Sequence, residues 1–320
     1  MMLNTGLLLI AVLMPGLPDP GTPIFKPHDR IAIVGNTFAE RMQLDGQFES
    51  LLQASHPDHE LSIRNFGWSG DEVALQPRPL NFLGMDEWLD QHDTDVIIAC
   101  FGMNESYSGD EGLPKFRKDL DAWIEARLSK NYNNENPPRI ILVSPIAHED
   151  LGDPLPDGHE HNFVLQSYSD AMRQAAVAHE QGFIDLFTPT LETMKRDEVA
   201  LTINGIHPNR QGYRVITCAM ADQLGLVQKS GAEMDVDEVD IGNRQHEALR
   251  QAVLAKNRLF FQRWRPVNTE YVYGRRHEPY GSKNFPDEMK QLDRLVEEAD
   301  RTIWTMPPGH IGCEVIEEEY

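Results

Sequence analysis

The sequence predicts an α/β fold, namely a three-layer α/β/α sandwich around a parallel sheet, with a helical hairpin at the C-terminus. Two observations support this prediction. Between residues 30 and 224, short apolar runs alternate with amphipathic segments, which is typical of successive strand–helix units. The runs at residues 96–101 (VIIACF) and 140–143 (IILV) are apolar throughout, as expected for strands that are buried on both faces.

The alternation predicts the position of each element. We predict strands at residues 30–34, 61–66, 95–101, 139–144 and 183–187. We predict helices at residues 39–54, 85–91, 113–128, 163–181 and 210–224, and the two helices of the C-terminal hairpin at residues 237–264 and 287–304. Ligands bind beyond the carboxyl ends of the strands in parallel sheets. The residues that follow each strand are therefore the first candidates for a functional site.

The composition argues against several classes of function. With 29 Lys and Arg against 51 Asp and Glu, the chain has a net charge of −22. Nucleic acids and anionic membranes are bound largely through cationic side chains, so we expect neither partner and no stable membrane insertion. A neutral small molecule or carbohydrate is the expected substrate. The three cysteines form no CxxC pair, and the His, Asp and Glu residues between positions 148 and 161 match no metal-binding spacing. We therefore expect no metal or other cofactor.

Small and polar residues follow the predicted strands and would meet at one edge of the sheet. The first strand leads into Gly35 and Thr37 and then an amphipathic helix, a geometry that presents a hydroxyl at the positive end of a helix dipole. The later segments are residues 67–71 (GWSGD), 102–106 (GMNES), 144–149 (SPIAHE) and 204–209 (NGIHPN). A hydroxyl, an amide and an imidazole at one edge suit acyl transfer, which needs a nucleophile, a base and donors for the oxyanion.

These segments resemble the four sequence blocks of the SGNH (GDSL-type) hydrolase superfamily. Its Gly-Asp-Ser-Leu block corresponds to residues 35–38 (GNTF), and the Gly of its Ser-Gly-Asp segment corresponds to Gly70. Its Gly-x-Asn-Asp block corresponds to residues 102–105 (GMNE), and its Asp-x-x-His-Pro block corresponds to residues 204–208 (NGIHP). The resemblance covers residues 30–226. It implies a five-stranded, flavodoxin-like parallel sheet and hydrolysis of an ester or a similar acyl bond.

The resemblance implies a role for each matched position. Thr37 would be the nucleophile, His207 the general base, and Asn204 the residue that orients His207. The side chain of Asn104 and the backbone N–H of Gly70 would bind the oxyanion, together with the N–H of the nucleophile turn. The residues expected to line the substrate site are Asn36, Trp68, Glu105 and His148.

Two positions depart from the family pattern and leave two functions open. Thr37 stands where the family has Ser, and its extra methyl group restricts the side-chain rotamer. Asn204 stands where the family has an acid, and in serine proteases the equivalent Asp→Asn change lowers turnover about 10⁴-fold. The protein is either a working esterase, with a carbohydrate ester as the favoured substrate, or a catalytically degenerate carbohydrate- or ligand-binding module. Ser69 and Ser106 are alternative hydroxyls near the predicted site.

We divide the chain into residues 1–26, a leader, residues 27–227, the SGNH-like hydrolase domain, and residues 228–320, the C-terminal helical hairpin and tail. The apolar block at residues 6–14 resembles the centre of a secretory signal, although no Lys or Arg precedes it and no A-x-A site follows. We expect export to the periplasm or the cell exterior, with a cytoplasmic location as the alternative. The hairpin either packs on the sandwich or serves as an interaction scaffold.

Overall fold

The computed structural model describes residues 24–196, 199–226 and 236–309. The strands are β1 Arg30–Gly35, β2 Ser62–Asn65, β3 Val96–Cys100, β4 Arg139–Val143 and β5 Gly182–Ile184. They form one five-stranded sheet in the order β2-β1-β3-β4-β5, and all neighbouring strands are parallel. The predicted sandwich is confirmed, and every predicted strand is present with small shifts at its ends.

Helices cover both faces of the sheet. Those of the sandwich are α1 Thr37–Asp45, α2 Gln47–Ser55, α3 Met85–Gln91, α4 Gly109–Leu128, α5 His159–Ala178, α6 Phe187–Arg196 and α7 Arg210–Gln223. Those of the C-terminal part are α8 Val236–Trp264, α9 Thr269–Tyr273 and α10 Phe285–Trp304. A short 3-10 turn at Glu105–Ser108 precedes α4.

The strands alternate between two hydrophobic cores, one on each face of the sheet. In β1, Ile31 and Ile33 belong to the core beneath α1, α2 and α7, whereas Ala32 and Val34 belong to the core beneath α3, α4 and α5. This alternation follows from the two-residue period of a strand. Because helices cover both faces, neither face of a strand can carry a row of polar residues. The strand sequences are therefore continuous apolar runs.

The predicted helix at residues 39–54 is wrong in one respect, because the structure contains two helices there. Gly46 separates α1 from α2 with a φ of +75°, in the left-handed region that glycine adopts without strain. Its backbone N–H donates to Met42 O at 2.9 Å, which closes the last turn of α1. The apolar periodicity continues across this break, so it could not reveal the break.

Two further differences concern α5 and α6. Helix α5 begins at His159 rather than at residue 163, so that His159 and His161, which precede the predicted helix, lie in its first turn. Asp157 accepts a hydrogen bond from the backbone N of His159 at 3.0 Å, and this bond stabilises the earlier start. Helix α6 was not predicted, because its threonines and its proline are weak helix formers.

The C-terminal helices pack on the sandwich. Helix α10 lies along α8, and α8 contacts α1, α2 and β2, which gives the predicted hairpin. Phe260 and Trp264 of α8 extend one of the two cores, with ring centroids 5.2 and 5.4 Å from that of Phe66. Lys256 of α8 is fully buried, and its ammonium group donates to the Glu49 carboxylate. The hairpin and the sandwich therefore share one core and a buried ion pair.

Some predicted segments lie outside the described residues, namely residues 1–23 of the leader and residues 310–320 of the tail. Phe25, near the first described residue, is buried in the core beneath α1. In the part of the chain that the structure describes, no helix combines the length and the apolar character needed to cross a membrane.

Candidate active site

A small cleft opens at the carboxyl edge of the sheet, where β1, β3 and β4 end. Its volume is about 30 Å³, and both polar and apolar side chains form its walls. The lining residues include Asn36, Thr37, Met103, Asn104, Ile146 and His207. The structure thus brings the predicted nucleophile, the predicted oxyanion donor and the predicted base into one cleft, and Asn36 lines it as well.

Thr37 lies in the sharp turn between β1 and α1. Gly35 has a φ of +131°, and a Cβ at this position would lie 2.1 Å from the carbonyl oxygen of Cys100, so only glycine fits. Asn36 caps α1 by accepting a hydrogen bond from Phe38 N at 3.0 Å. Because Thr37 is the first residue of α1, its hydroxyl lies at the positive end of the helix dipole.

His207 is oriented by Asn204. The Oδ1 atom of Asn204 lies 3.1 Å from the backbone N and 2.9 Å from Nδ1 of His207. A backbone N–H can only donate, so the shared atom is the amide oxygen, and Nδ1 must carry the proton that this oxygen receives. In a neutral ring the other nitrogen, Nε2, is then free to accept a proton. Although Thr37 and His207 line the same cleft, no hydrogen bond joins their side chains among the described residues.

The imidazole of His207 is kept in its neutral form near pH 7. Burial lowers its pKa below 6.5, and the positive charge of Arg41 lowers this pKa further. A neutral imidazole is the form that a general base requires. The electrostatics of the cleft therefore favour a neutral ring, and the hydrogen bond from Nδ1 favours the tautomer of that ring with its proton on Nδ1.

A buried carboxylate holds the loop at residues 201–209, which we call the His207 loop. Glu149, only 6% exposed, accepts hydrogen bonds from Leu201 N at 2.7 Å, from Thr202 N at 2.7 Å and from the Thr202 hydroxyl at 2.5 Å. Its backbone N donates to Gly205 O at 2.8 Å. We did not predict this role from the sequence, because it depends on contacts with residues about 50 positions away. The sequence feature that could have revealed this role is an acidic residue shortly after the fourth predicted strand.

Asn104 follows β3 and contacts the turn after β2. Its amide group donates to Asp71 O at 3.1 Å, which leaves its second N–H for a ligand. The neighbouring Glu105 accepts hydrogen bonds from Gly102 N and Val73 N, each at 2.9 Å, and it does not line the cleft. Burial raises the pKa of Glu105 to about 7. Glu105 therefore braces the turn that presents Asn104.

Gly70 and Trp68 lie in the turn after β2, outside the lining of the cleft. Gly70 is exposed and has a φ of +87°. Trp68 donates its backbone N–H to Gly35 O at 2.9 Å, which holds this turn beside the one that precedes α1. The ring of Trp68 packs against the guanidinium groups of Arg78 and Arg265, which lie 4.5 and 3.8 Å from the ring centroid. Its contacts are therefore with the protein itself.

His148 belongs to a hydrogen-bonded chain of side chains. Its Nδ1 lies 3.0 Å from Nδ1 of His161, whose Nε2 lies 2.7 Å from the hydroxyl of Ser106. Ser106 is 1% exposed and also donates to a backbone carbonyl, while Ser69 donates its hydroxyl to Glu40. Both alternative hydroxyls are thus engaged within the protein. Among the described residues, no group of three or more His, Cys, Asp or Glu side chains is arranged so that it could hold a metal ion.

Comparison with known proteins identifies a family and a shared fold. The model of the GDSL-like lipase/acylhydrolase family matches residues 34–215. A gut microbial diltiazem-metabolizing enzyme superposes with a TM-score of 0.61 at 12% identity, over 90% of this chain and 97% of that chain. A protein described as a GDSL-like lipase, from Parabacteroides merdae, superposes with a TM-score of 0.51 at 15% identity, over 64% of this chain and 99% of that chain. At these identities the two structures show a common fold. None of the curated proteins matches this chain.

Proposed function

The chain belongs to the GDSL-like lipase/acylhydrolase family, and we propose that it hydrolyses acyl esters with Thr37 as the nucleophile and His207 as the general base. The observation that carries this proposal is the hydrogen bond from His207 Nδ1 to Asn204 Oδ1 at 2.9 Å. That bond leaves Nε2 as an acceptor in a cleft that Thr37 and Asn104 also line. The three groups that acyl transfer requires are therefore neighbours.

In the proposed reaction, Nε2 of His207 takes the proton of the Thr37 hydroxyl while its oxygen attacks the ester carbonyl. The negative charge of the tetrahedral intermediate is stabilised by the free N–H of the Asn104 side chain and by the backbone N–H of Thr37. The imidazolium then protonates the leaving alcohol, and water hydrolyses the acyl-threonine by the reverse sequence of proton transfers. Asn204 holds the ring in one tautomer throughout.

The size of the cleft supports a short acyl group. A volume of about 30 Å³ is only about twice the volume needed to hold one water molecule. Met103 and Ile146 provide apolar contacts in this space. We therefore propose an acetyl ester, with a carbohydrate as one candidate for the alcohol.

The proposal is tested with p-nitrophenyl acetate and four single variants. His207→Ala and Thr37→Ala should each lower kcat by at least about 10³-fold, because the nucleophile and the base act as a unit. His159→Ala and Thr302→Ala change exposed residues of the same types, and they should retain wild-type turnover. Unchanged turnover in His207→Ala would falsify the assignment of the base.

A catalytically degenerate binding module is the second candidate. It is favoured by one observation, the absence of a hydrogen bond between the Thr37 hydroxyl and the His207 ring among the described residues. The double variant Thr37→Ser/Asn204→Asp restores the family residues and separates the two functions. A large gain from almost no activity would identify the wild type as a degenerate module, whereas a small gain over measurable turnover would identify a working threonine enzyme.

A further inference from the structure

A second hollow lies next to the His207 loop, between α1, the start of α7 and α8. Its volume is about 380 Å³, and Pro208, which directly follows His207, forms part of its wall. Three arginines line it, Arg41, Arg210 and Arg250, together with one carboxylate, Asp45. We call this hollow the arginine subsite. It is far larger than the cleft and continues from the same loop.

The arginine subsite is built on the two elements that carry the candidate nucleophile and base. Arg41 is four residues after Thr37 in α1, so both side chains lie on the same face of the helix, about 6 Å apart along its axis. Arg210 is three residues after His207 and begins α7. A substrate with its acyl group in the cleft therefore has these two guanidinium groups within reach of its alcohol portion.

Two of the three arginines form no ion pair with another described residue. Arg250 is fully engaged, with a fork of bonds to Glu247 at 2.8 and 2.7 Å and a further bond to Asp45 O at 2.5 Å. In contrast, Arg41 and Arg210 form no ion pair among the described residues, and the buried Nε of Arg41 has no hydrogen-bond partner there. Arg41 is half-buried and Arg210 is exposed at the wall of the hollow, so both guanidinium groups can donate to a bound anion.

We infer that the arginine subsite binds a carboxylate on the alcohol portion of the substrate, so that the preferred substrates are acetyl esters of hydroxy acids. This inference rests on the proposed esterase function. Guanidinium groups bind carboxylates through paired charge-assisted hydrogen bonds. With Arg250 paired to Glu247, the two free arginines and Asp45 leave one net positive charge, which a single carboxylate neutralises. The net charge of the whole chain predicted a neutral substrate, and the local arrangement of charge reverses that expectation.

A bound carboxylate would also assist the base. Arg41 disfavours the imidazolium of His207, as its effect on the pKa of this residue shows. A carboxylate paired with Arg41 would offset that positive charge during proton transfer. It would thereby supply part of the electrostatic support that Asn204 lacks as a neutral amide.

The test compares two acetyl esters of the same shape, 4-acetoxybenzoate and its neutral amide, 4-acetoxybenzamide, at pH 8. The wild type should favour the carboxylate in kcat/KM. The double variant Arg41→Gln/Arg210→Gln should lower kcat/KM for the carboxylate by roughly 10- to 100-fold more than for the amide, the loss expected for charge-assisted bonds. Arg294→Gln, an exposed residue of α10, is the matched control and should preserve the ratio. Calorimetry of 4-hydroxybenzoate and 4-hydroxybenzamide with the same proteins measures binding without turnover.

The outcomes separate this inference from the proposed function. If both esters are hydrolysed with equal kcat/KM and the double variant alters both equally, the carboxylate subsite is wrong while the esterase stands. If neither ester is hydrolysed, the calorimetric measurements decide whether the arginine subsite binds a carboxylate. Binding of 4-hydroxybenzoate that the double variant abolishes supports the subsite, and equal binding of the acid and the amide, or binding of neither, overturns it.

Discussion

The side-chain oxygen of Asn204 lies 2.9 Å from Nδ1 of His207 and 3.1 Å from the backbone N of the same histidine. In serine proteases, an Asp→Asn change at the position that orients the histidine stabilises the wrong tautomer, which accounts for much of the loss of activity. Here the backbone N–H keeps the amide oxygen, rather than its nitrogen, against the ring. The tautomer is therefore correct, and only the negative charge of the usual acid is missing.

The first prediction follows from this difference. Asn204→Asp should raise kcat about tenfold, because a charge-assisted hydrogen bond exceeds a neutral one by about 1–1.5 kcal/mol. The added carboxylate should also raise the pKa of His207 and move the acidic limb of the pH–rate profile to higher pH. Steady-state kinetics between pH 5 and 9 measure both effects. Asn131→Asp, at an exposed position, is the control, and a fall in kcat with Asn204→Asp would exclude the orienting role.

The parts of the site that the sequence predicted share one property, which is their position directly after a strand or within a short motif. Thr37, Asn104 and His207 met in one cleft because the carboxyl ends of parallel strands lie at one edge. Gly70 and Glu105 also follow strands, yet the sequence could not show that they lie outside the lining of the cleft. That outcome depends on side-chain packing and on the path of each turn.

Other features depend on contacts between distant residues, which no local pattern encodes. The role of Glu149 arises from the loop that it holds, 52 positions away at Leu201. The arginine subsite requires α1 and α7 to lie side by side with α8. The break at Gly46 was missed for the opposite reason, since the local apolar period continues through a glycine whose conformation is set by tertiary packing.

The second prediction concerns Glu149 as a positioning residue. Glu149→Gln should destabilise the protein by about 1–3 kcal/mol, because an amide nitrogen cannot accept the hydrogen bonds from the His207 loop. It should also lower kcat more than it raises KM, since the loop carries His207, the proposed base. Urea unfolding and steady-state kinetics give the two values. Glu160→Gln on the exposed surface of α5 is the matched control, and a variant that loses stability with kcat intact would show a structural role alone.

The third prediction concerns the pH dependence of catalysis. Arg41 lowers the pKa of His207 in addition to the larger effect of burial, so Arg41→Gln should raise this pKa. Below its pKa the imidazole is protonated and cannot act as a base, so the acidic limb of kcat should move to higher pH in the variant. The measurement is kcat for p-nitrophenyl acetate from pH 4.5 to 8. If the limb stays in place, or moves equally in Arg294→Gln, then Arg41 does not act on the base.

The fourth prediction concerns the pH dependence of stability. Burial raises the pKa of Glu105 from 4.5 to about 7, so the folded state retains a proton that the unfolded state has lost. The resulting stabilisation is complete below pH 4.5 and is lost as the pH rises through 7, by roughly 3 kcal/mol in total. As the pH rises over this range, the unfolding free energy of the wild type should therefore fall relative to that of Glu105→Gln. The corresponding difference for the exposed Glu125→Gln should stay constant.

The fifth prediction tests the attachment of the C-terminal hairpin. Lys256 of α8 is fully buried and donates to Glu49 of α2, and Asn257 donates to the same carboxylate at 2.9 Å. Lys256→Met should destabilise the protein by about 3–5 kcal/mol, because it leaves the Glu49 charge buried without its counterion. The double variant Glu49→Met/Lys256→Met removes that charge as well and should recover much of the loss.

The recovery distinguishes an electrostatic cause from a defect in packing. If burial of an unpaired carboxylate is the cause, urea unfolding should show the double variant to be more stable than Lys256→Met, since paired buried charges can be replaced by apolar groups at little cost. If both variants are equally destabilised, packing of α8 is responsible instead. Lys290→Met, whose side chain is 74% exposed on α10, sets the baseline for loss of a lysine. If Lys256→Met is as stable as Lys290→Met, the apolar contacts of Phe260 and Trp264 hold the hairpin without help from the ion pair.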